Sequence, residues 1–331
     1  MASFLLIMAS TFLGVSAIET ASGMLAKTWT FSSNHYKVYN SRNHVYGSVP
    51  SEGVYETGKL IDDETIYRVH YRIGGDGFRV TPSLHRTQSK TSINLFGGSY
   101  AFGEGLEDNQ TLAYYLGQKL QDRTVKNYGM HGWGLHNALA VLNNEEVKGD
   151  YNILLTTPWH ALRSFCAYEW TANHPAYALA KDGGVDFLGS CDSITGKYTT
   201  WVKRILSYSS LYTRLTRPQE VKKVTREMLD LYLEIIKAIK ARTSKNGQKL
   251  LVAFIDAERR WLVEEITNEQ IAAKIADELV NVTLGDDIEN LPNKYFIHTR
   301  DKHPTALANE ERAELLYQLL SRFESLHSSA Q

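Results

Sequence analysis

At 331 residues the chain exceeds most single domains, yet one three-layer α/β core with an added subdomain uses that length without strain. A composition that is 43% apolar and 22% charged, with no polar repetitive run, excludes a disordered or fibrous protein. Lysine and arginine number 36 against 37 acidic residues, so the net charge of -1 gives no field to gather phosphates and excludes nucleic-acid binding.

Ala2 to Ile18 contains no charged residue and is rich in Phe, Leu, Ile, Met and Val. Residues 1–26 are therefore expected to form a signal peptide or a membrane anchor. A helix over 2–18 reaches roughly 25 Å against a hydrocarbon layer of ~30 Å, which leaves both open. Val15-Ser16-Ala17 offers a small-residue cleavage site, but no basic stretch precedes the apolar one, which favours an uncleaved anchor. A buried helix of the soluble fold is the remaining alternative. Export or anchoring puts the rest of the chain in a periplasmic or secreted, oxidising setting, where Cys166 and Cys191 can pair. A bridge closing a loop of that size contributes about 3 to 4 kcal/mol on the chain-entropy model. Two buried free thiols are the other reading.

Residues 27–91 read as a small β-rich elaboration. They are rich in Tyr, Val and Thr, and turn residues recur at Ser48-Val49-Pro50-Ser51, Asp62-Asp63 and Gly74-Gly75-Asp76-Gly77. Thr65 to Ile73 alternates apolar and polar side chains with period two, as a strand with one wet face does.

From 92 to 328 short apolar runs alternate with amphipathic segments, the pattern of repeated βα units. Strands are predicted at Ile93 to Phe96, Val125 to Asn127, Asn152 to Thr156, Lys249 to Ile255 and Tyr295 to His298. Helices are predicted over Leu112 to Leu120, Gln219 to Lys240 and Ala308 to about Leu326, the last turning Ala313, Leu316, Leu320 and Phe323 toward the sheet. Five strands alternating with helices predict a five-stranded parallel sheet covered on both faces, a three-layer α/β sandwich with ligands at the carboxyl ends of its strands. Arg163 to Pro218, rich in Tyr, Trp, Ser and Gly, reads as an insertion at about 163–218 forming one wall of a cleft.

Two segments carry the chemistry. Gly97-Gly98-Ser99 directly follows the first predicted parallel strand, so its serine sits at the open end of the sheet, with amides behind it that can face an oxyanion. Asp301-Lys302-His303-Pro304 lies between the last predicted strand and the last helix. A serine hydroxyl needs a base, imidazole is the suitable one, and an aspartate beside it fixes its tautomer. A parallel sheet delivers both segments to one edge.

Ile93 to Gly105, then Asn127-Tyr128-Gly129-Met130-His131-Gly132, then Asp301 to Pro304, resemble the ordered blocks of the SGNH/GDSL hydrolase family, over roughly Gly77 to Leu320. Asp76-Gly77-Phe78-Arg79-Val80-Thr81-Pro82 is similar to the lead-in of exported bacterial members. The resemblance implies a flavodoxin-like sheet and hydrolysis of carboxylic esters, often acyl or acetyl groups on carbohydrates or lipids. It implies Ser99 as nucleophile, His303 as base and Asp301 as acidic partner, with the amides of Ser99 and Gly132 holding the oxyanion.

Two departures from the family pattern stand out. Gly98 occupies the usual place of an aspartate before the serine. After the strand ending at Thr156 the chain reads Thr157-Pro158-Trp159-His160-Ala161-Leu162-Arg163, without the asparagine that donates to the oxyanion. His160, or else Arg163, is expected in that vacant role, and packing or helix capping is the alternative for His160.

Trp133, Trp159 and Arg163 are the expected substrate-binding residues, and His131 and His136 share the alternatives of cleft mouth and core with the two tryptophans. No metal site is expected, because the 11 histidines and two cysteines lack ligand spacings. No cofactor is expected, since Gly103-x-Gly105 lacks the rest of a dinucleotide fingerprint. The expected partner is a small-molecule, glycan or lipid ester, with a membrane only through an uncleaved N-terminal segment. Acyl transfer to a glycan through the same triad, and a catalytically weak scaffold that binds glycan, are the competing functions.

Overall fold

The computed structural model describes residues 31–33, 42–61, 63–82, 91–168, 171–195, 224–255, 276–284 and 294–328. The segment 2–18 and the boundaries of the region 1–26 lie outside the described residues. Among the described residues no helix is long and apolar enough to cross a membrane.

The upstream region is antiparallel. Short strands β1 (Phe31–Ser33), β2 (Arg42–His44) and β3 (Gly47–Val49) precede a long hairpin of β4 (Gly53–Ile61) and β5 (Glu64–Ile73). β1 extends the hairpin to three strands, while β2 and β3 pair with each other. In β5 the alternation holds: Tyr67, Val69, Tyr71 and Ile73 are buried, and Arg68, His70 and Arg72 are exposed.

Then the βα pattern begins. β6 (Thr91–Gly97) runs into α1 (Ser99–Phe102). α2 (Leu112–Lys119) is capped by the Thr111 hydroxyl, which accepts from the Tyr114 amide. There follow β7 (Arg123–Gly129), α3 (Leu135–Asn144), β8 (Tyr151–Thr156) and α4 (Trp159–Ser164). A hairpin of β9 (Pro175–Leu179) and β10 (Val185–Ser190) leads to α5 (Cys191–Thr195). α6 (Arg226–Lys245), β11 (Lys249–Phe254), β12 (Glu278–Asn281), the pair β13 (Phe296–His298) and β14 (Asp301–Pro304), and α7 (Ala306–Ser328) complete the described chain.

β12, β11, β8, β6 and β7 form one sheet in that order, every neighbouring pair parallel. Numbered along the chain and read from the β7 edge this is 2-1-3-4-5, the flavodoxin-like arrangement. Successive side chains of the central strands go to opposite layers, which is why they read as unbroken apolar runs. Phe96, Leu154, Leu250 and Val252 pack with α3 and α6, including Leu139, Leu142, Ile235 and Ile239. Ile93, Leu95, Ile153, Leu155, Leu251 and Ala253 pack with α2 and α7, including Leu112, Leu116, Leu316 and Leu320. Five parallel strands between two helical layers bear out the expected sandwich.

One strand is corrected. The fifth strand of the sheet is Glu278–Asn281, not Tyr295 to His298; Phe296–His298 pairs antiparallel with Asp301–Pro304, outside the sheet. The true edge strand escaped sequence reading because Glu278-Leu279-Val280-Asn281 is four residues long and only half-buried, so it carries no apolar run. Residues 219–223, placed at the start of a helix by periodicity, lie outside the described residues; the helix begins at Arg226, where Thr225 caps Met228.

Of the expected insertion, residues 163–168 and 171–195 are described. They carry the end of α4, the β9–β10 hairpin and α5, and Cys166 and Cys191 are joined in a disulfide with their Cα atoms 5.5 Å apart.

Candidate active site

Ser99 is the first residue of α1, immediately beyond the carboxyl end of central strand β6. Gly98 before it has no room for a side chain. A Cβ there would stand 2.8 Å from Arg163 Nη1, 2.9 Å from the Trp133 carbonyl oxygen and 3.0 Å from His160 Nε2. A side chain at this place would collide with groups of α4 and of the loop after β7. After one turn of α1 the chain reverses at Gly103, whose φ of 85° is left-handed and whose amide donates to the Ser99 carbonyl. The Glu104 amide donates to that same carbonyl, so the reversal returns Glu104 toward the serine.

The second loop is fixed against α1 by Asn127, whose Nδ2 donates to Ala101 O at 2.9 Å while its Oδ1 accepts from the Gly129 amide at 2.8 Å. Gly132 follows, at a φ of 73°. The Trp133 carbonyl accepts from Arg163 Nη1 at 2.8 Å, joining this loop to α4.

His303 lies on β14. Its Nε2 is 2.9 Å from Ser99 Oγ, and its Nδ1 makes a short contact with Asp301 Oδ1. The imidazole is steadied by the Tyr100 ring, edge-on at 5.7 Å, while the Tyr100 hydroxyl donates to the Lys302 carbonyl. Serine, histidine and aspartate from residues 99, 303 and 301 therefore meet in one hydrogen-bonded line.

Four further groups converge on that line. Lys59, buried on β4, places Nζ 2.7 Å from Asp301 Oδ2 and 3.3 Å from Glu104 Oε1. Glu104 Oε2 lies 3.1 Å from His303 Nε2 and 2.8 Å from His131 Nδ1, and Tyr67 donates its hydroxyl to Glu104 Oε1 at 3.4 Å. The Lys59 ammonium lies between the two carboxylates and offsets part of their charge. Sequence reasoning named His131, with cleft mouth and core both open, and missed the other three. Lys59 left one trace: it is in phase with Thr57 and Ile61 on the buried face of its strand, an odd place for a charge. Glu104 is buried between two glycines and gave none.

Electrostatics follow from the crowding. Burial pulls the His303 imidazole down, but the Glu104 and Asp301 carboxylates outweigh it and raise its pKa to about 9. Burial pushes Asp301 up, and His303 and Lys59 bring it down to about 2. Glu104, also pushed up by burial, is held well below the usual carboxylate range by His303 and His131.

The flanking residues divide. Trp133, expected to bind substrate, is corrected: it is 2% exposed and packs edge-on against Tyr46 and Phe78 at 6.1 and 5.9 Å, because the β2–β3 region covers it. His136 is core too, fully buried beside Ser164 and held neutral by burial. Trp159 is half-buried with its ring against Tyr100 at 5.5 Å, one ring removed from the imidazole. Arg163 and His160 both border Gly98. Burial lowers the Arg163 pKa to about 10 and, with the Arg163 charge, lowers that of His160 far enough to keep it neutral.

About 70% of this chain aligns with solved structures of other proteins. A lipolytic protein of the G-D-S-L family from Veillonella parvula is 13% identical with a TM-score of 0.38, covering 70% of this chain and 98% of its own. An acetylxylan esterase from Geobacillus stearothermophilus is 12% identical with a TM-score of 0.38, covering 71% and 95%. An alpha/beta hydrolase from the metagenome of Lake Arreo is 13% identical with a TM-score of 0.39, covering 70% and 94%. No family model and no curated protein matches the sequence. What the site can do follows from its side chains.

Proposed function

We propose that this chain is a serine esterase that hydrolyses a carboxylic acyl or acetyl ester through an acyl-enzyme on Ser99. The observation that carries this is the 2.9 Å contact between Ser99 Oγ and His303 Nε2, continued through Nδ1 to Asp301. In acylation, neutral His303 takes the Ser99 proton as Oγ bonds to the carbonyl carbon. The same imidazolium then protonates the leaving alkoxide as the ester C–O bond breaks. Water, deprotonated by His303, attacks the acyl carbon, and the imidazolium returns that proton to Ser99 Oγ as the acyl C–Oγ bond breaks, releasing the acid and free Ser99. Asp301 holds the imidazole and balances its charge, with Lys59 keeping the aspartate ionised.

The amides of Ser99 and Gly132 are the oxyanion donors in this mechanism, and His160 is the third. Tyr232 lies 2.9 Å from Thr156 Oγ1, which lies 3.1 Å from His160 Nδ1. If each hydroxyl donates onward, Nδ1 is an acceptor and the proton of the neutral ring sits on Nε2, the atom facing Gly98. That supplies a donor where the asparagine is missing.

The substrate is an ester of a cell-envelope or extracellular glycan or lipid, and the enzyme works outside the cytoplasm. The Cys166–Cys191 bridge supports an oxidising setting. Labelling by a fluorophosphonate tests the proposal: the wild type should label and Ser99→Ala and His303→Ala should not. Equal labelling of all three would end it. Transfer to a glycan differs only in the final acceptor, and partition of the acyl-enzyme between water and added sugar distinguishes the two.

A further inference from the structure

Among the described residues of this cluster, Glu104 is a buried carboxylate to which the serine–histidine–aspartate line gives no task. It is 8% exposed, which makes an idle charge there expensive. Its Oε2 addresses His303 Nε2 at 3.1 Å, the same nitrogen that faces Ser99 Oγ at 2.9 Å. A carboxylate oxygen and a nitrogen lone pair repel at that separation, whereas a proton on the nitrogen turns the contact into a charge-assisted hydrogen bond. One imidazole is thus held between two carboxylates, Asp301 at Nδ1 and Glu104 at Nε2.

The surroundings of the pair bear on the sign. Lys59 from β4 and Tyr67 and Tyr71 from β5 face it from the upstream hairpin, with the Arg79 guanidinium stacked 4.4 Å from the Tyr71 ring. His131 faces it from the second loop, Tyr100 from α1, and Arg163 acts on Glu104 from α4. Lys59 places a positive charge beside both carboxylates, and the imidazoles of His303 and His131 each address Glu104 Oε2, where a proton on the ring nitrogen makes the contact favourable.

We propose that Glu104 is a positioning residue that governs the proton on His303, holding the resting imidazole charged and thereby giving the Ser99 reaction an alkaline working range. This rests on Ser99 and His303 being nucleophile and base. A charged imidazole cannot accept the Ser99 proton, so the resting enzyme must first release the Nε2 proton to solvent. Attack of Oγ on the ester carbon then returns a proton, that of Ser99, to Nε2. The imidazolium so formed lies again between two carboxylates, and the tetrahedral stage gains what the resting base lost. The raised pKa of His303 and the lowered one of Glu104 agree in direction.

The test compares wild type, Glu104→Gln and Glu104→Asp by the pH dependence of fluorophosphonate labelling and of kcat/KM for a small activated ester. It is paired with an NMR titration of the His303 imidazole in the Ser99→Ala protein, which keeps Glu104. The wild-type acidic limb should fall near pH 9, matching the His303 titration. Glu104→Gln should move the limb down by about one unit or more, raising the fraction of its own plateau rate reached at neutral pH about tenfold. Glu104→Asp, which keeps the charge, should retain an alkaline limb. A limb unchanged in Glu104→Gln, or a His303 titration near its ordinary 6.5 with Glu104 present, overturns the inference. The titration decides even if the glutamine variant fails to fold. Absence of labelling in the wild type at every pH would instead overturn the esterase proposal, leaving the titration to judge Glu104 separately.

Discussion

Lys59 Nζ stands 2.7 Å from Asp301 Oδ2, so the upstream β-hairpin supplies the countercharge for the aspartate that orients the imidazole. Both side chains are almost wholly shielded from water, at 5% and 2% exposure, which separates this contact from an ordinary surface ion pair. Lys59→Met should lower folding stability by about 3 to 5 kcal/mol, because it leaves two buried carboxylates short of one cation. Urea denaturation at neutral pH checks this. A loss below about 1 kcal/mol would mean that water or another cation reaches the pair.

The same aspartate makes stability depend on acid. Its folded pKa of about 2 lies below the ordinary 3.8, so its contribution is present above pH 3.8 and lost as pH falls through 2. Lys59→Met should flatten that part of the curve, as followed by denaturation at a series of acidic pH values.

His303 works at the other end of the scale. Its folded pKa of about 9 lies above the ordinary 6.5, so its contribution is full below pH 6.5 and disappears as pH rises through 9. Wild type should lose stability over that interval, and His303→Gln should not show the same slope. Thermal unfolding against pH is the readout.

Replacing His160 by Leu should reduce kcat for a small ester by about 100- to 1000-fold, the usual cost of one oxyanion donor. Tyr232→Phe should cost less, since it only biases the imidazole tautomer through Thr156. An unchanged kcat in a folded His160→Leu protein would reduce His160 to a packing role.

Gly98→Ala tests the close approach at the serine. The new methyl would meet the Trp133 carbonyl at 2.9 Å, and a backbone atom yields less readily than a side-chain tip. Overpacking of this kind costs about 1 to 3 kcal/mol and should displace Ser99, so activity should fall more than stability does. Parallel measurement of kcat/KM and urea midpoint distinguishes the two.

The central architecture was legible because core strands such as β6, β8 and β11 read as short apolar runs with amphipathic helices such as α2 and α6 between them, the pattern of a covered parallel sheet. Ser99, His303 and Asp301 could be named because Gly-Gly-Ser follows an apolar strand and an Asp-x-His spacing precedes the last helix, although that pair lies on β14 and not in a turn. The fifth strand could not, since Glu278–Asn281 is short and half-wet. Trp133 misled for a related reason: an aromatic side chain next to a functional loop looks the same in sequence whether its ring faces substrate or core. Lys59 and Glu104 were hidden more deeply. Their meaning lies in a contact spanning 45 residues and two layers of structure, and neither spacing nor periodicity reports such a meeting.

Arg79 shows what this assembly implies for dividing the chain. Buried next to Tyr71 and Phe102, its guanidinium donates to the carbonyls of Phe102, Gly103 and Leu106 and pairs with Asp108. Those carbonyls belong to the reversal that carries the serine. A fragment starting at the first sheet strand would keep every parallel strand of the described sheet yet strip these three main-chain oxygens of their charged donor, so the smallest autonomous unit should begin upstream of the sandwich.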